Sequence, residues 1–191
     1  MATEAQADAI VAQILEAFAV CGHLDYGERV SMKEHMLQAA WFAEQDGGDD
    51  RLIVAALLHD YGHLICDMPN NTFSVGNDNY HETVGAAALR EWFYGDIVNA
   101  VRLHVDAKRY LCAFSPGYVD KLSEASKVTL AVQGGPMTSA EVDEFRQQPG
   151  HELALRVRIY DDQGKVPNMM CPDLNHYAPK IRACLACNEG K

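Results

Sequence analysis

The sequence lacks several features that mark specialised classes of protein. Basic residues are scarce, since 16 Lys and Arg stand against 27 Asp and Glu and leave a formal net charge of −11. Nucleic acids and anionic membrane surfaces bind basic patches, so we expect neither as a partner. The longest apolar run, Leu52 to Leu58, is far too short to cross a bilayer. Acidic residues stand near the N-terminus, where a secretory signal would carry bases, and we expect a cytoplasmic protein.

Cysteine is too sparse for a disulfide framework. The chain has six cysteines in 191 residues, and nothing in the sequence indicates secretion. Cys184 and Cys187 form a C-x-x-C pair, which is compatible with redox chemistry or zinc binding. Because neither a second cysteine pair nor a βαβ pattern accompanies it, we interpret this pair as two free thiols.

The hydrophobic residues that are present, 48% of the chain, recur with the period of an α-helix almost throughout. The predicted helices cover residues 4–20, 32–45, 51–61, 81–93, 96–107, 122–133, a segment after the capping box Thr138-x-x-Glu141, 152–161 and 173–187. We expect the last helix to break or restart at Pro179. Pro69 to Asn79 reads as a long loop. With no convincing strand, we predict an all-α protein, a single domain of seven to nine helices over residues 1–191.

Histidines and aspartates fall in an order that indicates a metal site. His59 and Asp60 end the most apolar predicted helix, where a buried aspartate needs a partner or a metal. The other candidates each lie on a separate predicted helix: His35, His81, His104 and Asp161. Helices that converge on one core can bring such side chains together. Four imidazoles and two carboxylates without a thiolate suit iron, manganese or a hydrolytic metal, and six ligands suit two metals bridged by Asp60.

The ordered pattern H…HD…H…H…D resembles the HD-domain superfamily of metal-dependent phosphohydrolases. Further segments resemble its small mixed-valence diiron oxygenases, which cleave carbon–phosphorus bonds. The matching segments are 26–28, 34–38, 57–63, 80–85, 104–111, 122–127, 133–137 and 158–162. The stretches around Lys108, Ser126 and Gln133 are the more specific ones, because a generic HD hydrolase does not need them. The resemblance implies an HD-type helical bundle, two iron ions as an Fe(II)/Fe(III) pair, and dioxygen as co-substrate.

The resemblance also implies a phosphonate pocket beside the metals. It assigns binding to His63, Lys108, Ser126, Thr129, Gln133 and Arg158. The spacing agrees, because Lys108 and Arg158 each lie one helical turn from a predicted ligand. The members on the predicted helix 122–133 form one polar face of an otherwise buried helix. Cations and hydroxyls beside a metal suit a tetrahedral dianion.

Tyr26 and Glu28 precede the second predicted helix, and the resemblance implies that they form a lid. In relatives, such a tyrosine occupies an iron position until substrate arrives, and the glutamate holds the substrate's amino group. Glu28 keeps the family spacing, whereas Tyr26 departs from the Tyr-x-x-Glu of amine-specific relatives. Tyr61 stands where relatives commonly carry an aliphatic residue. With Tyr26, Phe73 and Tyr80, it could form an aromatic wall that binds a quaternary ammonium, at about 0.5–2 kcal/mol per contact.

The resemblance implies the O2-dependent cleavage of the C–P bond of a small organophosphonate. The aromatic side chains favour 1-hydroxy-2-(trimethylammonio)ethylphosphonate, which would give glycine betaine and phosphate. The same reaction on 2-amino-1-hydroxyethylphosphonate, giving glycine, stays open. An HD-type phosphohydrolase, a non-catalytic phosphonate or nucleotide sensor, and polyol oxidation as in the inositol-oxygenase branch are further alternatives. The predicted cationic pocket argues against an uncharged polyol.

Overall fold

The computed structural model describes residues 3–26, 28–65 and 80–186. Within these ranges the protein is all-α, as predicted, with ten α-helices, a 3-10 turn and two isolated β-bridges. The helices are α1 (Glu4–Cys21), α2 (Met32–Gln45), α3 (Asp50–Leu58), α4 (His81–Leu89), α5 (Gly95–Phe114), α6 (Tyr118–Lys121), α7 (Glu124–Val132), α8 (Ser139–Gln147), α9 (His151–Gln163) and α10 (Leu174–Ala183). The 3-10 turn, Tyr61–His63, lies between α3 and α4. Cys66, Phe73, the rest of the predicted loop and Cys187 lie outside the described residues.

Capping residues fix where the helices begin. Ser31 and Thr138 start α2 and α8 with capping boxes, in which the hydroxyl accepts from the third helical N–H and the glutamate there accepts from the cap N–H. Asp49 caps α3 by accepting from Leu52 N. The predicted capping box at Thr138 and the predicted helix start in the acidic turn before Arg51 are therefore both confirmed.

Helix ends and number differ from the predictions. Ten α-helices are described where at most nine were expected, because the short helix α6 was not predicted. α3 ends at Leu58, since the chain turns into the 3-10 segment after His59 and Asp60. α10 continues through Pro179, which corrects the predicted break. Proline removes one backbone hydrogen bond, and the fully buried Tyr177 and Ile181 on either side keep the helix packed.

α3 forms the centre of the core and thereby places the candidate site. Its residues Leu52 to Leu58 are all buried, and it packs against α2, α5, α9 and α10. Burial of each such leucine contributes about 1.5–3 kcal/mol. His59 and Asp60 follow directly at the C-terminal end of α3, so they lie among helices α2, α5 and α9. No described helix is both long enough and apolar enough to cross a membrane.

Candidate metal centre and anion cavity

The six predicted ligands come together in one cluster at the centre of the helices. Five are at most 3% exposed, and the sixth, His81, has a side chain that is 12% exposed. Their sources are α2, the end of α3, α4, α5 and α9: His35, His59 and Asp60, His81, His104 and Asp161. Because each element packs on α3 or on its neighbours, the apolar core fixes the positions of these polar groups.

The first half of the cluster consists of two histidines and two aspartates. His35 Nε2 and His59 Nε2 are 3.0 Å apart. Asp60 Oδ2 lies 3.4 Å from the first nitrogen and 3.3 Å from the second. Asp161 adds Oδ1, 3.5 Å from His35 Nε2. Two ligand atoms that bind one metal at about 2.1 Å and at right angles are about 3.0 Å apart, so this spacing fits one ion.

The second half uses the other oxygen of Asp60. His81 Nε2 and His104 Nε2 are 3.1 Å apart. Asp60 Oδ1 lies 3.2 Å from His81 Nε2 and 3.4 Å from His104 Nε2. Each oxygen of Asp60 therefore faces its own pair of imidazoles. This arrangement is the one that a carboxylate bridging two metals requires.

The imidazole hydrogen bonds indicate a site suited to cations. Nδ1 donates to a backbone carbonyl in His35 (Gly164 O, 2.8 Å), His59 (Ala56 O, 2.8 Å) and His104 (Val101 O, 2.7 Å). A carbonyl oxygen only accepts, so Nδ1 carries the hydrogen and Nε2 of the neutral ring carries a lone pair. Neutral His35 and His59 would point their Nε2 lone pairs at each other and at a carboxylate, and without a metal a proton on His59 lies between them. A metal ion satisfies all of them, and carbonyl acceptors behind ligating imidazoles are typical of metal sites.

The charges of the cluster act in the same direction. Burial opposes ionisation of Asp60, yet the charge of His59 holds its pKa well below its usual range. Burial likewise opposes charging of His59, but Asp60 and Asp161 raise its pKa to about 9. Asp60 and Asp161 thus stabilise positive charge on His59, whereas burial lowers the pKa values of His35 and His104.

Two glycines bring the ligand-bearing elements into backbone contact. A Cβ on Gly62 would lie 2.0 Å from His81 O, and one on Gly85 would lie 2.9 Å from Gly62 N. Only glycine at these positions lets the 3-10 turn pack directly on α4. The close approach also stacks His63 on His81, with ring centroids 4.2 Å apart. Burial and the neighbouring charge of His81 lower the pKa of His63 to about 3, so this ring is neutral.

A cavity of about 80 Å³ opens beside the cluster, enough for several water molecules. All six predicted phosphonate-binding residues line it: His63, Lys108, Ser126, Thr129, Gln133 and Arg158. Lys108 is only 3% exposed and donates from Nζ to Thr129 Oγ1 at 2.9 Å. Burial, with a contribution from Arg158, lowers the pKa of Lys108 to about 8.

Arg158 is buried and already has acidic partners. It donates to Asp161 Oδ2 at 2.7 Å, to Asp162, and to Tyr118 OH at 3.2 Å. Its guanidinium therefore holds the candidate ligand Asp161 in place and adds positive charge to the cavity wall. Burial opposes ionisation of Asp161, but Arg158 keeps the pKa of that carboxyl well below its usual range.

The helix that carries Ser126 and Thr129 is amphipathic, which corrects the expectation of an otherwise buried helix. In α7 only Ser126 and Leu130 are buried, whereas Val128 and Val132 are more than one-third exposed. The polar face is turned inward towards the cavity and apolar residues lie outside. Ser126 and Thr129 share one face of α7, as the spacing predicted. The prediction that the rest of the helix is buried failed, because its valines face solvent.

The lid residues lie at the cavity, but among the described aromatic residues Tyr61 and Tyr80 do not join Tyr26 there. Tyr26 stacks on His35 with ring centroids 3.8 Å apart, and its OH donates to Asp161 Oδ1 at 3.4 Å. Burial and Asp161 raise the pKa of Tyr26 well above its usual value. Tyr61 packs in the apolar core, outside the cavity lining, and Tyr80 is 62% exposed. These two placements correct the predicted amine-side role of Tyr61.

Sequence reasoning missed four residues that complete the site. Lys165 donates to Ser126 Oγ at 2.9 Å and lies 3.6 Å from Glu28 Oε1. Ser123 donates to the same oxygen of Glu28. Tyr118 contacts Arg158, and Gln38 pairs with both backbone polar groups of Val166 at 2.9 Å. Lys165 lies two residues beyond the end of α9 and reaches these groups only through the tertiary fold, so helical spacing could not have identified it.

Comparisons with known proteins identify the family of the chain. The HD domain family matches residues 32–161. A [1-hydroxy-2-(trimethylamino)ethyl]phosphonate dioxygenase (glycine-betaine-forming) of Leisingera caerulea is 46% identical over 156 residues, 82% of this chain and 80% of the relative. A hydroxymethylphosphonate dioxygenase of Gimesia maris is 41% identical over 177 residues, 92% and 88% of the two chains. An uncharacterised protein of Acanthamoeba polyphaga mimivirus is 39% identical over 168 residues, 86% and 76%. The chain therefore belongs to the HD-domain family, as its ordered histidines and aspartates predicted, and is similar over most of its length to phosphonate dioxygenases.

Proposed function

We propose that this protein is a dioxygenase that cleaves the C–P bond of 1-hydroxy-2-(trimethylammonio)ethylphosphonate and forms glycine betaine and phosphate. One observation carries the proposal: a His/Asp cluster divided by Asp60 into two metal-sized halves adjoins a cavity with the buried cation Lys108. The 46% identity to the glycine-betaine-forming dioxygenase supports this reaction and the trimethylammonium substrate.

The donor set fits two iron ions. His35, His59, Asp60 and Asp161 would hold one ion, and His81 and His104 would hold the other together with Asp60. Nitrogen and carboxylate donors without thiolate suit non-haem iron. As an Fe(II)/Fe(III) pair, the metals would supply dioxygen activation and an anchor for the hydroxyl and phosphonate oxygens.

The residues of the cavity would bind and orient the phosphonate. Lys108 is protonated below about pH 8 and, with the Ser126 and Thr129 hydroxyls, offers donors to a tetrahedral dianion. Arg158 supplies a second positive charge from a rigid position between Asp161 and Asp162. Burial of these groups limits solvent access and strengthens their attraction for the anion.

The proposed reaction balances with dioxygen alone. The C–P bond and the C–H bond at the hydroxyl-bearing carbon break, while both atoms of O2 enter the products. That carbon becomes a carboxylate and phosphorus leaves as phosphate. The substrate supplies all four electrons that reduce O2, so no external reductant is required.

Tyr26 and Glu28 would cover the ammonium end of the substrate. Both line the cavity, and Tyr26 contacts His35 and Asp161 from the lid side. An aromatic face and a carboxylate are the two groups that attract a quaternary ammonium most strongly. Because Tyr26 OH is held protonated, it donates to Asp161 and orients this carboxylate.

Anaerobic loading with Fe(II), followed by oxygen and one candidate substrate at a time, tests the proposal. We expect glycine betaine, phosphate and consumed O2 in equal amounts from the trimethylammonium phosphonate. The EPR signal of a coupled Fe(II)/Fe(III) pair should change when substrate is added. 2-Amino-1-hydroxyethylphosphonate, which would give glycine, is the first comparison. Phosphate release from a phosphate ester without oxygen would instead establish a phosphohydrolase and contradict the proposal.

Hydroxymethylphosphonate is a second candidate substrate. A dioxygenase acting on it is 41% identical to this chain over 92% of its length. Glu28 already has an ammonium partner in Lys165, so a substrate without a cationic group leaves no unpaired carboxylate here. We therefore expect measurable turnover of this smaller phosphonate, with formate and phosphate as products.

A further inference from the structure

Lys165 is a partly buried cation that contacts two different parts of the cavity wall. It follows Gly164, where α9 ends, and its side chain is 10% exposed. Its Nζ donates to Ser126 Oγ at 2.9 Å and lies 3.6 Å from Glu28 Oε1. The same Nζ is 5.6 Å from the centre of the Tyr26 ring. One ammonium thus connects the anion-binding hydroxyls with the lid.

The groups around the Lys165 ammonium would also attract the ammonium group of a substrate. An aromatic face within about 6 Å and a nearby carboxylate both attract a cation. Lys165 itself does not line the cavity, whereas Glu28, Tyr26 and Ser126 do. A cationic substrate tail that enters here therefore meets a carboxylate that is already paired.

Hydrogen bonds and close packing fix the backbone at residues 164–166. A response to bound substrate therefore falls to the Lys165 side chain. Val166 N donates to Gln38 Oε1, and Val166 O accepts from Gln38 Nε2, each at 2.9 Å. Lys165 N donates to Gln163 O at 2.8 Å. A Cβ on Gly164 would come within 2.9 Å of the backbone of α2, so this segment lies directly against that helix.

We propose that Lys165 sets the preference of the cavity for a cationic substrate tail, by competing with the tail for the Glu28 carboxylate. This inference rests on the proposed function. For hydroxymethylphosphonate, Lys165 stays beside Glu28 and prevents an unpaired buried charge. For the trimethylammonium substrate, the tail takes the place beside Glu28 and Tyr26, and Lys165 remains on Ser126, where its charge supports the phosphonate.

Removal of Lys165 consequently affects the two substrates differently. Both lose the positive charge near Ser126, and this loss weakens both affinities. Only the cationic tail also gains, because Lys165 no longer competes with it for the Glu28 carboxylate. Lys165 is thus a positioning residue whose effect appears in the ratio of the two affinities, whereas a purely structural role would lower both equally.

Anaerobic calorimetric titration of the iron-loaded protein tests this inference, because binding is then measured without turnover. We expect Lys165→Met to raise the affinity ratio of the trimethylammonium phosphonate over hydroxymethylphosphonate by about tenfold or more relative to wild type. Lys165→Gln, which retains a donor for Ser126, should shift the ratio in the same direction. Lys165→Arg should leave it near the wild-type value. Lys127→Met is the matched control, since this lysine pairs with Glu124 on the outer side of α7.

The outcomes separate this inference from the proposed function. If wild type binds and oxidises both phosphonates but neither Lys165→Met nor Lys165→Gln changes the ratio, only the role of Lys165 is overturned. An equal loss of both affinities has the same consequence. If the iron-loaded wild type binds neither phosphonate, the proposed function fails and the inference fails with it.

Discussion

At the scale of single residues, Asp60 is the group on which the cluster depends. Its two oxygens face separate pairs of imidazoles at 3.2–3.4 Å, so the residue joins two potential metal sites. The sequence indicated this role, because a charged residue directly after a buried apolar helix needs a partner. Lys165 was not indicated, since it lies beyond the end of α9 and contacts Ser126 and Glu28 only through the tertiary fold.

Asp60→Asn should remove the bridge and leave the protein with about one iron or less per chain. The amide has one acceptor oxygen in place of two and carries no charge. Mutation of a residue that hydrogen-bonds to a metal ligand typically lowers metal affinity or activity about 10- to 100-fold. Loss of a ligand itself should have a larger effect, so we expect dioxygenase activity to fall by more than about 100-fold. Iron analysis and EPR provide the measurements. Asp106→Asn, at a part-buried ion pair with Arg109, is the control and should keep both irons. Two irons in Asp60→Asn would contradict the bridge.

The buried ammonium of Lys108 predicts a fall in kcat/KM at alkaline pH. Burial lowers its pKa to about 8, and the neutral amine formed above this pH no longer attracts a dianion. We expect kcat/KM of the iron-loaded enzyme to decrease about tenfold per pH unit above roughly pH 8. Lys108→Arg keeps its charge throughout this range, so the decrease should disappear in that variant. An unchanged alkaline decrease in Lys108→Arg would assign it to a different group.

At the scale of elements, helix positions followed from periodicity, but the contacts between elements did not. The 3.6-residue pattern located α2 from Met32 to Gln45, and the capping box located α8. α10 runs through Pro179 because burial of Tyr177 outweighs a local helix-breaking preference. Tyr61 was misplaced for a related reason, since local spacing does not reveal that its side chain faces the core.

The contact between the 3-10 turn and α4 predicts a large effect of one methyl group. In Gly62→Ala the new Cβ would lie 2.0 Å from His81 O, so the first turn of α4 must move away from Asp60. Overpacking of this kind costs about 1–3 kcal/mol and should lower the melting temperature of the protein by several degrees. We expect iron content to fall as well, because His81 is displaced.

Gly95→Ala is the control for this substitution. A Cβ there would meet nothing within 4 Å, at the first residue of α5. This variant should melt at or slightly above the wild-type temperature, because alanine reduces the entropy of the unfolded chain. Equal melting temperatures and iron contents for Gly62→Ala and Gly95→Ala would show that the close approach is not required.

At the scale of the whole molecule, the metal centre joins helices that are distant in sequence. The six candidate ligands span residues 35 to 161 and come from α2, the end of α3, α4, α5 and α9. The apolar packing of α3 places them, so the fold does not depend on metal for its core. The cluster nevertheless gathers facing lone pairs and carboxylates at the centre of that core, and this arrangement is costly until cations bind.

Metal binding should therefore stabilise the whole chain, and not the cavity alone. A ligand that binds only the folded state adds RT ln(1 + [L]/Kd), which is about 1.4 kcal/mol for each tenfold increase in free metal above Kd. For a protein of this size, each such increase should raise the melting temperature by roughly 3–6 °C. Anaerobic calorimetric scans with and without a chelator measure the effect. Asp106→Asn should respond like wild type and Asp60→Asn much less, since it lacks the bridging carboxylate. If the melting temperature of the wild type did not depend on metal, the cluster would bind no metal ion tightly. The folded chain would then tolerate the facing imidazoles and carboxylates without a metal.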